Sequence, residues 1–135
     1  MSTDLLNTLV TGAIWRAEQL EEQGIRSAPL AWAEVSSLEE KLASAIPASQ
    51  PEGRIARRGA VRAALKAKDV VRAQKLVETY LAEKQATPAL RAALRQLLEE
   101  DDRSLANRFR HVETVDEARG LARWLQEGGA FGLAA

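Results

Sequence analysis

Cysteine is absent, so the chain has no disulfide and no thiolate ligand for a metal. Histidine occurs once, at His111, and no carboxylate cluster surrounds it at ligand spacing, which leaves little material for a metal centre. Aromatic residues are few, 4% of the chain, so Ala and Leu must build most of the core. That composition favours helices packed closely through small residues at their crossings. No run alternates strictly between apolar and polar residues, so no strand is expected. No apolar run is long enough to span a bilayer. The opening residues, Met1-Ser2-Thr3-Asp4, carry no basic region ahead of an apolar stretch, so no signal peptide is expected and a cytoplasmic location is. Glycine-rich phosphate loops are missing too. Gly128, Gly129 and Gly132 lie near the C-terminus and not between a strand and a helix. The serines have no histidine partner in a recognisable arrangement. No catalytic, cofactor or metal residue is assigned, and the chain reads as non-enzymatic.

What is present is helical periodicity. In 135 residues the pattern predicts a single all-α domain over 1–127 and a small apolar tail over 128–135. The architecture expected is a helical bundle or a short stack of helical hairpins, with five to seven helices. The centre of the pattern is Gly59–Asp102. Asp69 is placed to cap a helix carrying Ala73, Leu76, Val77, Tyr80 and Leu81 on one face. Thr87 and Pro88 suit the N-cap and first position of the next, which carries Leu90, Ala93, Leu94, Leu97 and Leu98.

Upstream, Asp4–Gln23 reads as a helix stopped by Gly24, with Leu6, Leu9, Val10, Ala13, Ala17 and Leu20 facing inward. Ser27 and Pro29 open a second helix with Ala31, Val35, Leu38, Leu42, Ala45 and Ile46 inward and Glu34, Glu39, Glu40 and Lys41 outward. Residues 47–53, with two prolines and a glycine, read as a linker. A third helix over Arg54–Lys68 would turn Ile55, Val61, Ala64 and Leu65 inward. The acidic run Glu99–Asp102 opposes the dipole of a helix C-terminus and predicts a break there. A short helix through Leu105, Phe109 and Val112 and a last one capped by Thr114 would follow. The core expected from these faces is Leu9, Val35, Leu38, Leu42, Val77, Tyr80, Leu94 and Leu97.

Net charge is zero but unevenly spread. Residues 1–52 hold 3 basic and 8 acidic side chains, residues 53–98 hold 11 and 3, and residues 99–135 hold 5 and 8. The outer segments can fold back on the basic middle, or the middle can face a partner. Arg54, Arg58, Arg62 and Lys66 recur every four residues and form a basic helix face. Such a face can track phosphates, which makes nucleic-acid binding through residues 54–66 one reading of function. No aromatic interleaves it for base stacking. The other reading is a protein–protein interaction or adaptor module, acting on an unknown protein partner or by self-association. Its candidate surface is Trp15, Trp32, Phe131 and Leu133, with both tryptophans at the margins of their apolar stripes, where they serve either a partner or the core edge.

Residues 64–102 resemble the C-terminal part of the DUSAM domain, a helical family of unknown function best known from myxobacteria. The residues that carry the likeness are Asp69, Arg72-Ala73, Leu81, Thr87-Pro88, Arg91, Leu97 and Asp101-Asp102. The resemblance implies a bacterial helical domain and brings no activity or site residues. The same hairpin is similar to one tetratricopeptide unit, but no repeat at that period follows it.

Overall fold

The computed structural model describes residues 2–111, with side chains to residue 108. The chain divides into two compact units, residues 1–99 and 100–135. The expected boundary at residue 127, the helix capped by Thr114, and Phe131 and Leu133 all lie outside the described residues. The fold is all-α: five helices and no strand among the described residues.

Helix α1 spans Thr3–Glu22, α2 Ala28–Ala45, α3 Pro51–Lys66, α4 Val70–Leu81 and α5 Pro88–His111. Their ends follow local chemistry. The Ser2 hydroxyl accepts from the Leu5 amide at 3.1 Å and caps α1. Gly24, at φ +67°, closes it in the left-handed conformation, and Ile25 N–H returns to the Leu20 carbonyl at 2.9 Å. Pro29 sits in the first turn of α2. The Asp69 carboxylate accepts from Arg72 N–H at 3.0 Å, and the Thr87 hydroxyl accepts from Leu90 N–H at 3.1 Å, as their positions before α4 and α5 predict. Between α3 and α4, Lys68 takes φ +65°, a place where glycine is the usual choice.

Two expected boundaries need correction. The linker is residues 46–50, not 47–53, because Pro51 starts α3. Pro51 lacks only an N–H that the first turn leaves unpaired. Gly53 lies inside the helix because a Cβ there would collide with the carbonyls of Pro47 and Ile46. Nor does α5 break at Glu99–Asp102. The run lies mid-helix, away from the C-terminal dipole, and Glu99 has Arg103 four residues on, a spacing that supports a helix.

Helix α1 packs on α2, α2 on α3 and α3 on α4. The crossings are built from alanine: Ala13, Ala17, Ala43, Ala56, Ala60, Ala63, Ala64 and Ala73 are each at most 2% exposed. Small residues let the backbones approach, and the larger Val35, Val61, Leu42, Leu76, Val77, Tyr80, Leu90 and Leu94 fill the space between. Of the expected core, Val35, Leu42, Val77, Tyr80 and Leu94 are buried, while Leu38 and Leu97 are half-buried against the core. Leu9 is not core. It is 39% exposed, since Leu6, Val10, Ala13 and Ala17 already form the inward stripe of α1. Ile55, expected inward, is 57% exposed. No described helix is long and apolar enough to cross a membrane.

Candidate functional site

The outer side of α1 is the first candidate surface. Leu5, Leu9, Gly12 and Trp15 follow one another at four- and three-residue steps, so they share one helix face. The leucines are exposed and Trp15 is 65% exposed. Nothing lies within 4 Å of where a Cβ on Gly12 would stand. Beside this strip, Arg16 and Glu34 make an exposed ion pair at 3.0 Å.

Trp32 does not belong to that surface. It is 6% exposed, packs with Ala13, Ala17, Val35 and Ala63, and donates its indole N–H to Glu21. The Lys66 ammonium lies 4.7 Å over its ring and 3.6 Å from Glu21. Alanines on α1 and α3 leave room for the indole, which is why a residue at the edge of its helical stripe still goes inside.

The basic face of α3 is divided between tasks. The Arg54 guanidinium donates to the Ala48 carbonyl at 3.1 Å and, with Arg58, borders a hollow closed by Thr87, Leu90 and Ala93. Lys66 is engaged with Trp32 and Glu21. Arg62 is exposed and makes no hydrogen bond or ion pair with a described residue. Basic middle and acidic N-terminal segment therefore meet at Lys66–Glu21 and again at Arg72–Glu40, 2.7 Å.

The interior holds charge that the helical pattern does not announce. Arg57, next to the basic face of α3 in sequence, is 4% exposed. Its Nε and Nη2 donate to the two Glu83 carboxylate oxygens at 2.7 and 2.9 Å. Its Nη1 donates to the Ile46 and Gly53 carbonyls at 2.9 and 2.8 Å, and its guanidinium lies 5.4 Å over the Tyr80 ring. One side chain thus ties the α2–α3 connection to the α4–α5 turn. Arg91 closes that turn from α5, donating to the carbonyls of Leu81, Glu83 and Ala86 at 2.6, 3.0 and 3.3 Å. Nearby, the fully buried Ser36 hydroxyl donates to the Ala60 carbonyl at 2.8 Å and accepts from Arg72 Nε at 3.0 Å. The Tyr80 hydroxyl is buried without a partner, and burial pushes its pKa up to about 12, with the Glu40 charge adding to the rise.

Glu39 is the opposite case. Expected on the outer face of α2, it is 6% exposed. It falls in line with Trp32, Ser36 and Ala43, the row that α2 turns toward its neighbours. Its carboxylate lies against α3 at Gly59, where a Cβ would collide with it. It makes no hydrogen bond or ion pair with a described residue. Desolvation raises its pKa to about 7, and the Arg62 charge only partly offsets this. The carboxyl borders a cavity of about 230 Å³ between α1, α2 and α3, lined also by Ile14, Glu18, Trp32, Val35, Ile55, Arg62 and Lys66. The sequence signal for this site is faint: an acid in register with a buried tryptophan, and a glycine in the facing helix.

No group of three or more His, Cys, Asp or Glu among the described residues could hold a metal ion. His111 ends α5, and its side chain is outside the described residues. No family model, curated protein or solved structure matches the chain.

Proposed function

We propose that the chain is a non-enzymatic protein–protein interaction module that docks a partner helix on the outer face of α1, in the first instance the α1 of a second copy. The observation that supports this most is Trp15, a large aromatic left 65% exposed in line with Leu5 and Leu9. Aromatic residues at such positions supply much of the energy of protein interfaces. Gly12 adds to it. A glycine inside a helix costs about 0.5–1 kcal/mol relative to alanine, and nothing among the described residues requires one here. Without a Cβ, that point of the strip allows a second helix to approach closely.

Light scattering coupled to gel filtration at rising protein concentration tests the reading. A dimer that forms with concentration and is lost in Trp15→Ala and in Gly12→Gln supports it. A monomer throughout that instead binds nucleic acid in a salt-sensitive way, abolished by Arg58→Glu with Arg62→Glu, transfers the function to the basic face.

A further inference from the structure

Beside the α1 face lies a feature that an interaction module does not need. The Glu39 side chain is largely buried and makes no hydrogen bond or ion pair with a described residue, and its carboxyl opens on a cavity, where holding a charge is costly unless something completes it. A solvated surface acid would have turned outward, as Glu34 does on the same helix. Instead, Gly59 leaves the space that lets the carboxylate lie against α3. Arg62, on the same cavity, is drawn to Glu39 by charge but forms no hydrogen bond with it.

The lining has charged and apolar parts. The Glu39 carboxyl rests on α3 at Gly59, and Arg62 and Lys66 follow on the same face of that helix one and two turns on. Glu18 of α1 adds a second acid, and Ile14, Val35, Trp32 and Ile55 supply apolar surface. A lone anion would meet the Glu39 charge, and a lone cation would meet Arg62 and Lys66. A purely apolar guest would leave the carboxylate unsatisfied. Only a molecule carrying both charges side by side at one end of a small apolar body answers every part of the lining. The volume, about 230 Å³, exceeds the roughly 150 Å³ engineered cavity that holds benzene, and accommodates a molecule of amino-acid size.

We propose that this cavity binds a free amino acid with an apolar side chain, its ammonium paired with Glu39, its carboxylate held by Arg62 and Lys66, and its side chain packed on Ile14, Val35 and Ile55. Recognition is then a pair of charge-assisted hydrogen-bonding contacts beside an apolar surface. Binding pairs a carboxylate that no described residue pairs. Because Glu39 carries a proton for part of the time near neutral pH, pairing with an ammonium expels that proton. The charged groups that share the cavity with it are Glu18, Arg62 and Lys66, of which Arg62 favours the charged form.

Calorimetric titration of the full chain with L-leucine tests the proposal, alongside isoamylamine and 4-methylpentanoate, which each keep one of the two charges. L-Leucine should bind saturably, and each single-charge probe should bind at least about tenfold more weakly. Amide and indole resonances of Gly59 and Trp32 should shift with L-leucine. Glu39→Gln, which keeps the shape and removes the charge, should weaken binding by at least about tenfold and abolish the proton release seen by comparing two buffers. Arg62→Gln should weaken L-leucine while leaving isoamylamine no weaker. The proposal is overturned by no saturable binding of L-leucine, by 4-methylpentanoate binding as tightly as L-leucine, or by L-leucine binding unchanged in a folded Glu39→Gln protein.

Discussion

Arg57 and Glu39 are both charged and both about one-twentieth exposed, yet the fold treats them oppositely. Every arm of the Arg57 guanidinium is used: two contacts to Glu83, two to backbone carbonyls, and a ring beneath. Glu39 has nothing but the distant pull of Arg62. Burying a charge costs several kcal/mol, and only well-placed partners recover it. Arg57 therefore reads as a fastening that joins two connections, and Glu39 as a group left incomplete at a cavity. The comparison separates two meanings of a buried charge that burial alone does not distinguish.

Removing the fastening should have the largest effect. Arg57→Ala leaves Glu83 without its partner and frees both connections, and it should lower the unfolding free energy in urea by about 3–5 kcal/mol. A loss below about 1 kcal/mol would mean that the guanidinium contributes packing alone. Glu39 should respond in the other direction and only at higher pH. Its folded pKa of about 7 stands above the ordinary 4.5, so the folded state holds the proton more tightly than the unfolded chain. Its contribution is fully present below about pH 4.5 and is lost as pH rises through 7. Glu39→Gln should thus be more stable than wild type by about 1–2 kcal/mol at pH 8, with little difference at pH 4. Equal stabilities at both pH values would place Glu39 among satisfied residues.

Smaller effects sharpen the same contrast between satisfied and unsatisfied groups. Lys68→Gly relieves a left-handed lysine and should raise stability by about 1 kcal/mol. Tyr80→Phe removes a buried hydroxyl that has no partner while keeping the ring under Arg57. It should leave stability within about 0.5 kcal/mol of wild type or raise it slightly. Thermal melts of the two variants check both.

The helices themselves were legible because their signals are local. Asp69, Thr87, Pro88 and Gly24 each act within one turn of chain, and α4 and the start of α5 follow from them. The polar interior was not legible, for a physical reason. Whether Arg57 lies on a surface or in a core depends on Glu83, 26 residues away, arriving opposite it. Glu39 depends in the same way on Gly59 having no side chain. Periodicity sorts residues by hydrophobicity, so it assigns both to solvent. Leu9 shows the converse error, and Trp32, readable as partner surface or core edge, falls on the core side. The inward stripe of α1 was already complete with Leu6, Val10 and Ala13, and alanines on two helices made space for an indole.

The most direct test of the contrast is the titration of Glu39 itself. Carboxyl carbon-13 resonances followed by NMR from pH 3 to pH 9, assigned through Glu39→Gln, report its pKa in the folded protein. An unpaired, desolvated carboxyl titrates near 7. A midpoint at or below the ordinary carboxylate range, about 4.3, would show that a cation completes Glu39 as Glu83 completes Arg57, and the distinction between the two buried charges would fall.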